Sequence, residues 1–380
     1  MPRAVALAGL AALAVAMGIG RFAFTPILPM MLEEGGLSLA QGSRLAAANY
    51  AGYLAGALAA IGMKLRPATA IRAGLLAISA STLGMGLDQR LLSWGVLRAT
   101  AGVGSAWVLV FVSTWALERL GRAERPELVG TVYAGVGAGI LAAGGACLML
   151  MSAQAASRDA WMLLGIASLA ASLVLWPCFD AAPGPGTGNG SAAQSAAWPA
   201  EFWGLVLCYG AFGFGYIIPA TYLPVMAKDA LADPRHFGWA WPAFGAAAVA
   251  STLLAGRLSR MLKPRALWIA ASLVMACGVA VPLVVPGLAG IVAAALGVGG
   301  TFMVITMAGM EEARRVAGNR AHTLMAGMTS AFAFGQVAGP LGASYVLHGE
   351  GRFAAALLAA SGLLVLSALA LAIQSKGSRK

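Results

Sequence analysis

Runs of apolar residues follow one another through the whole chain, and short polar or basic segments separate them. A helix needs about 20 apolar residues to cross a bilayer, at ~1.5 Å per residue. The pattern therefore predicts an all-α membrane protein with twelve transmembrane helices. The predicted helices cover residues 4–31, 43–63, 69–87, 91–117, 128–151, 160–178, 202–227, 239–256, 265–285, 287–309, 321–346 and 353–373.

A tract rich in Pro, Gly and Ser, at residues 180–195, interrupts this series after the sixth predicted helix. Such a composition favours a flexible linker over a packed segment. We therefore expect an N-terminal six-helix half at residues 1–178, a cytoplasmic flexible linker at 179–200 and a C-terminal six-helix half at 201–380.

Several glycines of the first half recur in the second half at one constant offset of 195 residues. Because this offset spans six predicted crossings, an even number, the two copies run through the membrane in the same direction. Repeats of this kind place a substrate site near the middle of the bilayer, between the halves. The matching pairs are Gly18 with Gly213, Gly20 with Gly215, Gly102 with Gly297, and Gly144 with Gly339.

The composition also indicates a membrane protein, since 60% of the residues are hydrophobic, 10% are charged and the mean hydropathy is +0.81. The net charge of +11 comes largely from Lys and Arg in alternate connections, at residues 64–72, 119–125, 257–265 and 314–320. Cytoplasmic loops carry such an excess, so we expect an inner-membrane protein with both termini in the cytoplasm. Because the basic residues form no single cluster or tail, no nucleic-acid partner is expected.

Enzymatic chemistry has no recognisable motif in this sequence. The 4 cysteines stand singly in apolar segments without a Cys-x-x-Cys spacing, and His236, His322 and His348 are far apart. No Gly-rich loop ends in Lys followed by Ser or Thr, as a phosphate-binding loop would. We therefore expect no catalytic activity, no cofactor and no metal site.

Motifs in the predicted helices carry a family resemblance. They are Gly18-x-Gly20-Arg21-Phe22-x2-Thr25-Pro26-x-Leu28-Pro29, Ala48-Asn49-Tyr50-x-Gly52-Tyr53-Leu54, Arg98-x3-Gly102-x-Gly104 and Gly335-Gln336-x2-Gly339-Pro340. Together they resemble the major facilitator superfamily, and more narrowly its YbfB/YjiJ-type branch. The resemblance implies a transporter with two pseudo-symmetric six-helix halves, in which helices one and four line the cavity of the first half. The Gly-x3-Asp-Arg pattern usual after the second helix is missing.

Arg21 and Arg98 lie inside predicted helices, each roughly 10–15 Å from the outer end. No Asp or Glu is expected in the core of any span, since acids such as Glu118 and Glu311 fall at inner ends. A charge at a helix centre costs at least ~2.5–3.5 kcal/mol, so both guanidinium groups need a partner. An anionic substrate is one candidate, because guanidinium binds carboxylate or phosphate through paired hydrogen bonds. Backbone carbonyls freed by Pro26 and nearby glycines are the other.

Five further polar residues are expected to line the same space. Asn49 and Tyr53 lie four residues apart, and therefore on one face of the second predicted helix. Thr25, Tyr216 and Gln336 lie near the middle of their own helices. For each residue, packing or hydrogen bonding between helices is the alternative role. Tryptophans near helix ends are expected to anchor the protein at the membrane interface, and they are Trp94, Trp161, Trp203, Trp239 and Trp241.

These observations predict a secondary active transporter that moves a small solute across the inner membrane by alternating access. A small organic anion is the expected substrate, bound by Arg21 with help from Arg98, Asn49 and Tyr216. One alternative is an efflux pump for amphiphilic drugs or metabolites, and another is a membrane sensor or scaffold that transports nothing. The expected partners are the small-molecule substrate, a coupling ion and the lipid bilayer, with the chain acting as a monomer. The lack of a membrane-embedded acid favours anion exchange or facilitated movement over proton symport.

Overall fold

The computed structural model describes residues 2–179, 197–230, 240–346 and 352–377. In these ranges the chain forms helices joined by short turns, and no strand. Most of the predicted linker and Trp239 lie outside the described residues. The α-helices are α1 (Pro2–Leu13), α2 (Phe24–Glu33), α3 (Leu39–Gly62), α4 (Pro67–Leu87), α5 (Leu91–Arg122), α6 (Val129–Ser152), α7 (Ser157–Leu175), α8 (Ala200–Ala230), α9 (Ala240–Leu258), α10 (Pro264–Val284), α11 (Leu288–Gly299), α12 (Phe302–Ala317), α13 (Ala321–Val346) and α14 (Arg352–Gly377).

Among the described residues, 10 helical segments are long and apolar enough to cross a membrane. One of them, Leu288–Gly339, has 52 residues, far more than the ~20 that a single crossing needs. Large apolar side chains such as Leu207 and Leu366 stay exposed along these segments, as a surface that faces lipid requires. The chain is therefore an all-helical, multi-pass membrane protein, as the sequence predicts.

The first predicted helix is not continuous in the structure. After α1 the backbone forms a π-helix at Ala14–Ile19 and a turn at residues 20–23 before α2 begins. Pro26 explains the position of the break, because its ring lacks an N–H and would clash with the carbonyl of Phe22 in an unbroken helix. The break leaves backbone carbonyls without helical partners. Arg21 lies in this turn.

α3 and α5 touch backbone to backbone because glycines lie at their contact. A methyl group on Gly52 of α3 would lie 2.0 Å from the carbonyl oxygen of Ala99, and one on Gly102 of α5 would lie 2.2 Å from that of Asn49. Small residues allow membrane helices to approach this closely. The contact places Asn49 beside Arg98, whose carbonyl oxygen accepts a hydrogen bond from the Asn49 amide.

The most extensive contacts between the part of the chain before residue 180 and the part after residue 196 are made by two helix pairs. In the first pair, Gly130, Gly137 and Gly144 recur every seven residues along α6 and pack against α9, where Gly245 lies opposite Gly137. The second pair is α3 with α13. Side chains at these junctions therefore contact both parts of the chain.

Glu311 and Glu312 are buried in α12. The sequence predicts that this helix ends before them, but α12 continues to Ala317 and carries both glutamates into the packed structure. Glu312 is fully buried, and its carboxylate pairs with Arg265 at 2.6 Å and with Arg315 at 2.7 Å. The sequence placed Glu311 at the end of its predicted helix, and the structure shows in addition that both glutamates at this end are enclosed by neighbouring helices.

Candidate functional site

Arg21 is buried between helices from both parts of the chain, and the residue is only 3% exposed. Its guanidinium carbon lies 3.9 Å from the ring centroid of Tyr53 and 5.5 Å from that of Tyr50, both on α3. Its Nη2 donates a hydrogen bond to Oε1 of Gln336 on α13. Arg21 therefore lies where the broken first segment, α3 and α13 meet.

No carboxylate of the described residues forms an ion pair with Arg21. Its Nε and Nη1 atoms are buried and have no hydrogen-bond partner in that part of the chain, which leaves three of the five guanidinium N–H groups free. The Tyr53 hydroxyl is also buried and unpartnered there. The described ranges likewise hold no group of three or more His, Cys, Asp or Glu that could bind a metal ion. The unpartnered N–H groups and the Tyr53 hydroxyl are free to donate hydrogen bonds.

Aromatic rings and an amide explain how Arg21 is tolerated without an acid. A desolvated cation–π contact contributes ~2 kcal/mol, and a hydrogen bond from a charged group contributes ~1.5–3 kcal/mol. Together they are at least as large as the ~2.5–3.5 kcal/mol that the lenient insertion scale assigns to an arginine at a helix centre. These contacts therefore offset the cost of burying the guanidinium while most of its donors remain available to a ligand.

Arg98 supports the turn that carries Arg21. Its Nη1 and Nη2 donate hydrogen bonds to the carbonyl oxygens of Gly20 and Arg21, at 3.2 Å each. Its guanidinium carbon also lies 4.8 Å from the ring centroid of Phe24. Asn49 Nδ2 donates to the carbonyl oxygens of Gly20, at 3.3 Å, and Arg98, at 2.9 Å. Backbone carbonyls near the break are thus the partners of Arg98. From the sequence, such carbonyls were one of two candidate partners for each arginine, the other being an anionic substrate.

An aromatic layer, formed by Phe22, Tyr216, Phe302 and Phe332, lies next to the guanidinium. The Arg21 guanidinium carbon is 5.9 Å from the Phe332 ring centroid. The Tyr216 ring is stacked 6.2 Å from Phe332 and 5.4 Å from Phe302, and Phe302 is 6.3 Å from Phe22. Tyr216 is therefore one ring away from Arg21, and the charged group borders an apolar surface.

The structure gathers all but one of the predicted site residues around the turn, and their role in binding stays a prediction. The gathered residues are Arg21, Asn49, Tyr53, Arg98, Tyr216 and Gln336. Thr25 is the exception. Its side chain is exposed on α2 and forms no hydrogen bond with the described residues, so the structure does not bring it into this group.

Sequence reasoning did not single out Phe302 and Phe332 as site residues. Phe332 lies four residues before Gln336, so both project from one face of α13, and this spacing is the signal that identifies it. Phe302 has no comparable signal. Trp241, expected at the membrane interface, is partly buried and packs against other aromatic rings, with its centroid 6.1 Å from that of Phe22 and 5.4 Å from that of Phe244.

A comparison with protein families finds one family that matches nearly the whole length of the chain. A family model described as "Uncharacterised MFS-type transporter YbfB" matches residues 13–372. The chain belongs to this family. The matched residues include Arg21, Arg98 and the whole aromatic layer, so the motif-based resemblance to the YbfB-type branch of the major facilitator superfamily is confirmed.

Two solved structures of transporters share this fold. The crystal structure of the human organic anion transporter MFSD10 (TETRAN) has a TM-score of 0.74 and 14% sequence identity, with 97% of this chain and 99% of that chain covered. The major facilitator transporter FucP, in the outward conformation, has a TM-score of 0.76 and 14% identity, with 98% and 99% covered. At this identity the similarity establishes the fold alone. A comparison with curated protein sequences gives no match.

Proposed function

We propose that this member of the YbfB-type family is a secondary active transporter that carries a small organic anion, with Arg21 as the group that binds it. The family and the fold support a membrane transporter. The main support for an anionic substrate is the buried guanidinium of Arg21, whose Nε and Nη1 have no hydrogen-bond partner in the described part of the chain. An anion would supply the missing acceptors and neutralise the charge.

The proposed architecture has twelve crossings in two six-helix halves. The 52-residue segment Leu288–Gly339 is long enough for two crossings, and α9, with 19 residues, supplies another beside the ten candidates. The halves then cover residues 1–178 and 201–380, joined by the linker at 179–200. The connections rich in Lys and Arg would lie in the cytoplasm with both termini, because such loops are retained on the inner side of the membrane.

Arg21 would lie on the boundary between these halves. Tyr50 and Tyr53 approach it from the first half, whereas Phe332 and Gln336 approach it from the second. A bound anion would therefore contact groups of both halves at once. Rocking of the halves around this point would expose the anion first to one side of the membrane and then to the other.

The surrounding residues have separate roles in this proposal. Arg98 and Asn49 hold the turn through its backbone carbonyls and do not need to touch the substrate. The Tyr53 hydroxyl, which is buried without a partner in the described chain, would donate a further hydrogen bond to the anion. The structurally similar human protein is named as an organic anion transporter, so a protein with this fold is known by that class of substrate.

Efflux of amphiphilic drugs or metabolites is a second candidate function, and the aromatic layer favours it. Rings beside a guanidinium accommodate a molecule with an apolar body and an anionic group. A deletion strain complemented with wild type or with Phe332→Ala would be exposed to a panel of toxic amphiphiles. Efflux predicts that the wild type protects the strain and that the variant protects it less. Equal susceptibility with and without the wild-type gene would reject this candidate.

Flux measurements in proteoliposomes test the anion proposal. We expect the wild type to transport at least one small carboxylate. In Arg21→Leu this flux should be at least about tenfold lower, since one charge-assisted hydrogen bond contributes ~1.5–3 kcal/mol. Arg44→Leu is the matched control, because it removes an exposed arginine of α3 and should transport as the wild type does. Unchanged flux in a folded Arg21→Leu protein would reject the proposal.

A further inference from the structure

Glu311 is a buried carboxylate that the proposed anion site does not use. The residue is 9% exposed, and its Oε2 atom is buried without a hydrogen-bond partner among the described residues. Its neighbour Glu312 is fully buried but is held by Arg265 and Arg315. An ionised carboxylate is costly to bury without such partners. Binding a proton removes that cost, because the neutral acid is far cheaper to desolvate.

Few ionisable groups face Glu311. Arg314, on the next turn of α12, and Tyr133 of α6 interact with it electrostatically, but no ion pair or hydrogen bond joins either to Glu311 in the described structure. The Tyr133 hydroxyl instead donates to Ser113, at 2.7 Å. Other charged or titratable residues at the same end of the helices packed on α12 are Glu118, Arg119 and Arg122 of α5, Glu201 and Tyr209 of α8, Arg257 of α9, Arg265 of α10 and His322 of α13.

The two halves are in contact at this end of the bundle, which we call the basic end and define by residues 60–66, 118–128, 257–265 and 311–322. His322 Nε2 lies 2.9 Å from the carbonyl oxygen of Ala60. Arg260 and Glu127 form an ion pair at 3.2 Å, and the Arg314 guanidinium packs against the backbone of α5 at Gly121. Glu311 is buried behind these contacts, so its access to water depends on whether the basic end is closed.

We propose that Glu311 is a proton-binding site whose proton release is linked to the opening of the basic end. This inference rests on alternating access in the proposed function. With the basic end closed, as in this structure, Glu311 is the neutral acid. When that end opens, water reaches the side chain, the O–H bond breaks and the proton passes to cytoplasmic water, which leaves a hydrated carboxylate near Arg314. A low pH therefore favours the closed basic end.

Spin labels at the basic end test this proposal without any substrate. Leu65→Cys and Met261→Cys, at positions that are 43% and 84% exposed, place one label on each half. The exposed Cys178 and Cys277 are changed to Ser in this background. The distance between the labels is then measured by pulsed electron paramagnetic resonance in purified protein from about pH 5.5 to about pH 8.5, a range that spans the titration of a buried carboxyl group.

We expect the short distance to dominate at low pH and a longer distance to gain population at high pH. Glu311→Gln, a neutral side chain of the same shape, should keep the short distance throughout and lose the pH response. Glu311→Asp retains a titratable carboxyl group and should restore the response. Glu118→Gln is the control, because it neutralises an exposed acid of the same end and should follow the wild-type profile.

Three results would overturn the proposal. They are a wild-type distance that does not change with pH, a Glu311→Gln profile equal to that of the wild type, and a response lost in His322→Gln but kept in Glu311→Gln. Failure of the anion proposal would look different. It would appear as unchanged carboxylate flux in Arg21→Leu liposomes, and it would leave these distance profiles unaltered because they are recorded without substrate.

Discussion

The guanidinium of Arg98 donates a hydrogen bond to the backbone carbonyl oxygen of Arg21, at 3.2 Å. One membrane-embedded arginine thus holds the turn that presents the other. Because Arg98 acts on the backbone, the Arg21 side chain remains free for other partners. The two arginines therefore have different roles, one in positioning and one in the proposed binding of the anion.

Removal of the Arg98 side chain should destabilise the protein. In Arg98→Leu the carbonyl oxygen of Arg21 loses its charged donor, whereas that of Gly20 keeps the hydrogen bond from Asn49. An unpaired buried acceptor costs ~1–3 kcal/mol. We expect the melting temperature of the purified protein to fall by several degrees. Arg90→Leu is the control, because the Arg90 side chain is 83% exposed and should melt as the wild type does. Equal melting of both variants would contradict the positioning role.

Arg21→Lys should fold but transport poorly. Lysine keeps the positive charge, but its ammonium group lacks the planar fork that stacks on Tyr53 and reaches several acceptors at once. We expect carboxylate flux to lie between those of the wild type and Arg21→Leu, at least about tenfold below the wild type. Flux equal to that of the wild type would show that charge alone, without guanidinium geometry, is sufficient.

Gln336→Glu should block anion transport without unfolding the protein. The new carboxylate would take the place of the amide that already accepts a hydrogen bond from Arg21. It would form an internal ion pair and compete with any anionic substrate. We expect carboxylate flux to be lost while the melting temperature is kept or raised.

Gln336→Met is the matched variant for this test. It removes the amide but adds no charge, so flux should stay well above that of Gln336→Glu. Wild-type flux in the Glu variant would contradict an anion site at Arg21.

Gly52→Ala should disrupt the contact between α3 and α5. Its methyl group would lie 2.0 Å from the carbonyl oxygen of Ala99, so the helices would have to separate, at a cost of ~1–3 kcal/mol. The shift would also move Asn49 away from Arg98. We expect a lower melting temperature and reduced flux. Gly62→Ala is the control, since nothing lies within 4 Å of the added methyl group. Equal stability of both variants would contradict the importance of this contact.

Hydropathy predicts the helices well because burial in lipid acts on every residue of a run. The third predicted helix, at 69–87, is observed as α4 at Pro67–Leu87. The break at residues 20–23 was not predicted, although Gly18, Gly20 and Pro26 were noted as a motif. Apolarity says nothing about which backbone carbonyls keep their helical partners, so a broken helix and a continuous one give the same hydropathy.

The candidate site could be predicted in part for a related reason. Arg21 and Gln336 are separated by 315 residues, yet each is conspicuous as a polar residue in an apolar run. Phe302 and Phe332 offer no such contrast, because an apolar residue in a membrane helix packs against lipid or protein equally well. The burial of Glu311 was not predicted, because α12 continues past the end of its apolar run as far as Ala317.

A thermal-shift measurement tests the central claim, the binding of an anion by Arg21, most directly. Purified wild type and Arg21→Gln are each melted with a panel of small carboxylates and with the corresponding neutral amides. The account predicts that at least one carboxylate raises the melting temperature of the wild type, that its amide does not, and that Arg21→Gln abolishes the shift. The same shift in Arg21→Gln, or no stabilisation of the wild type by any carboxylate of the panel, would contradict it.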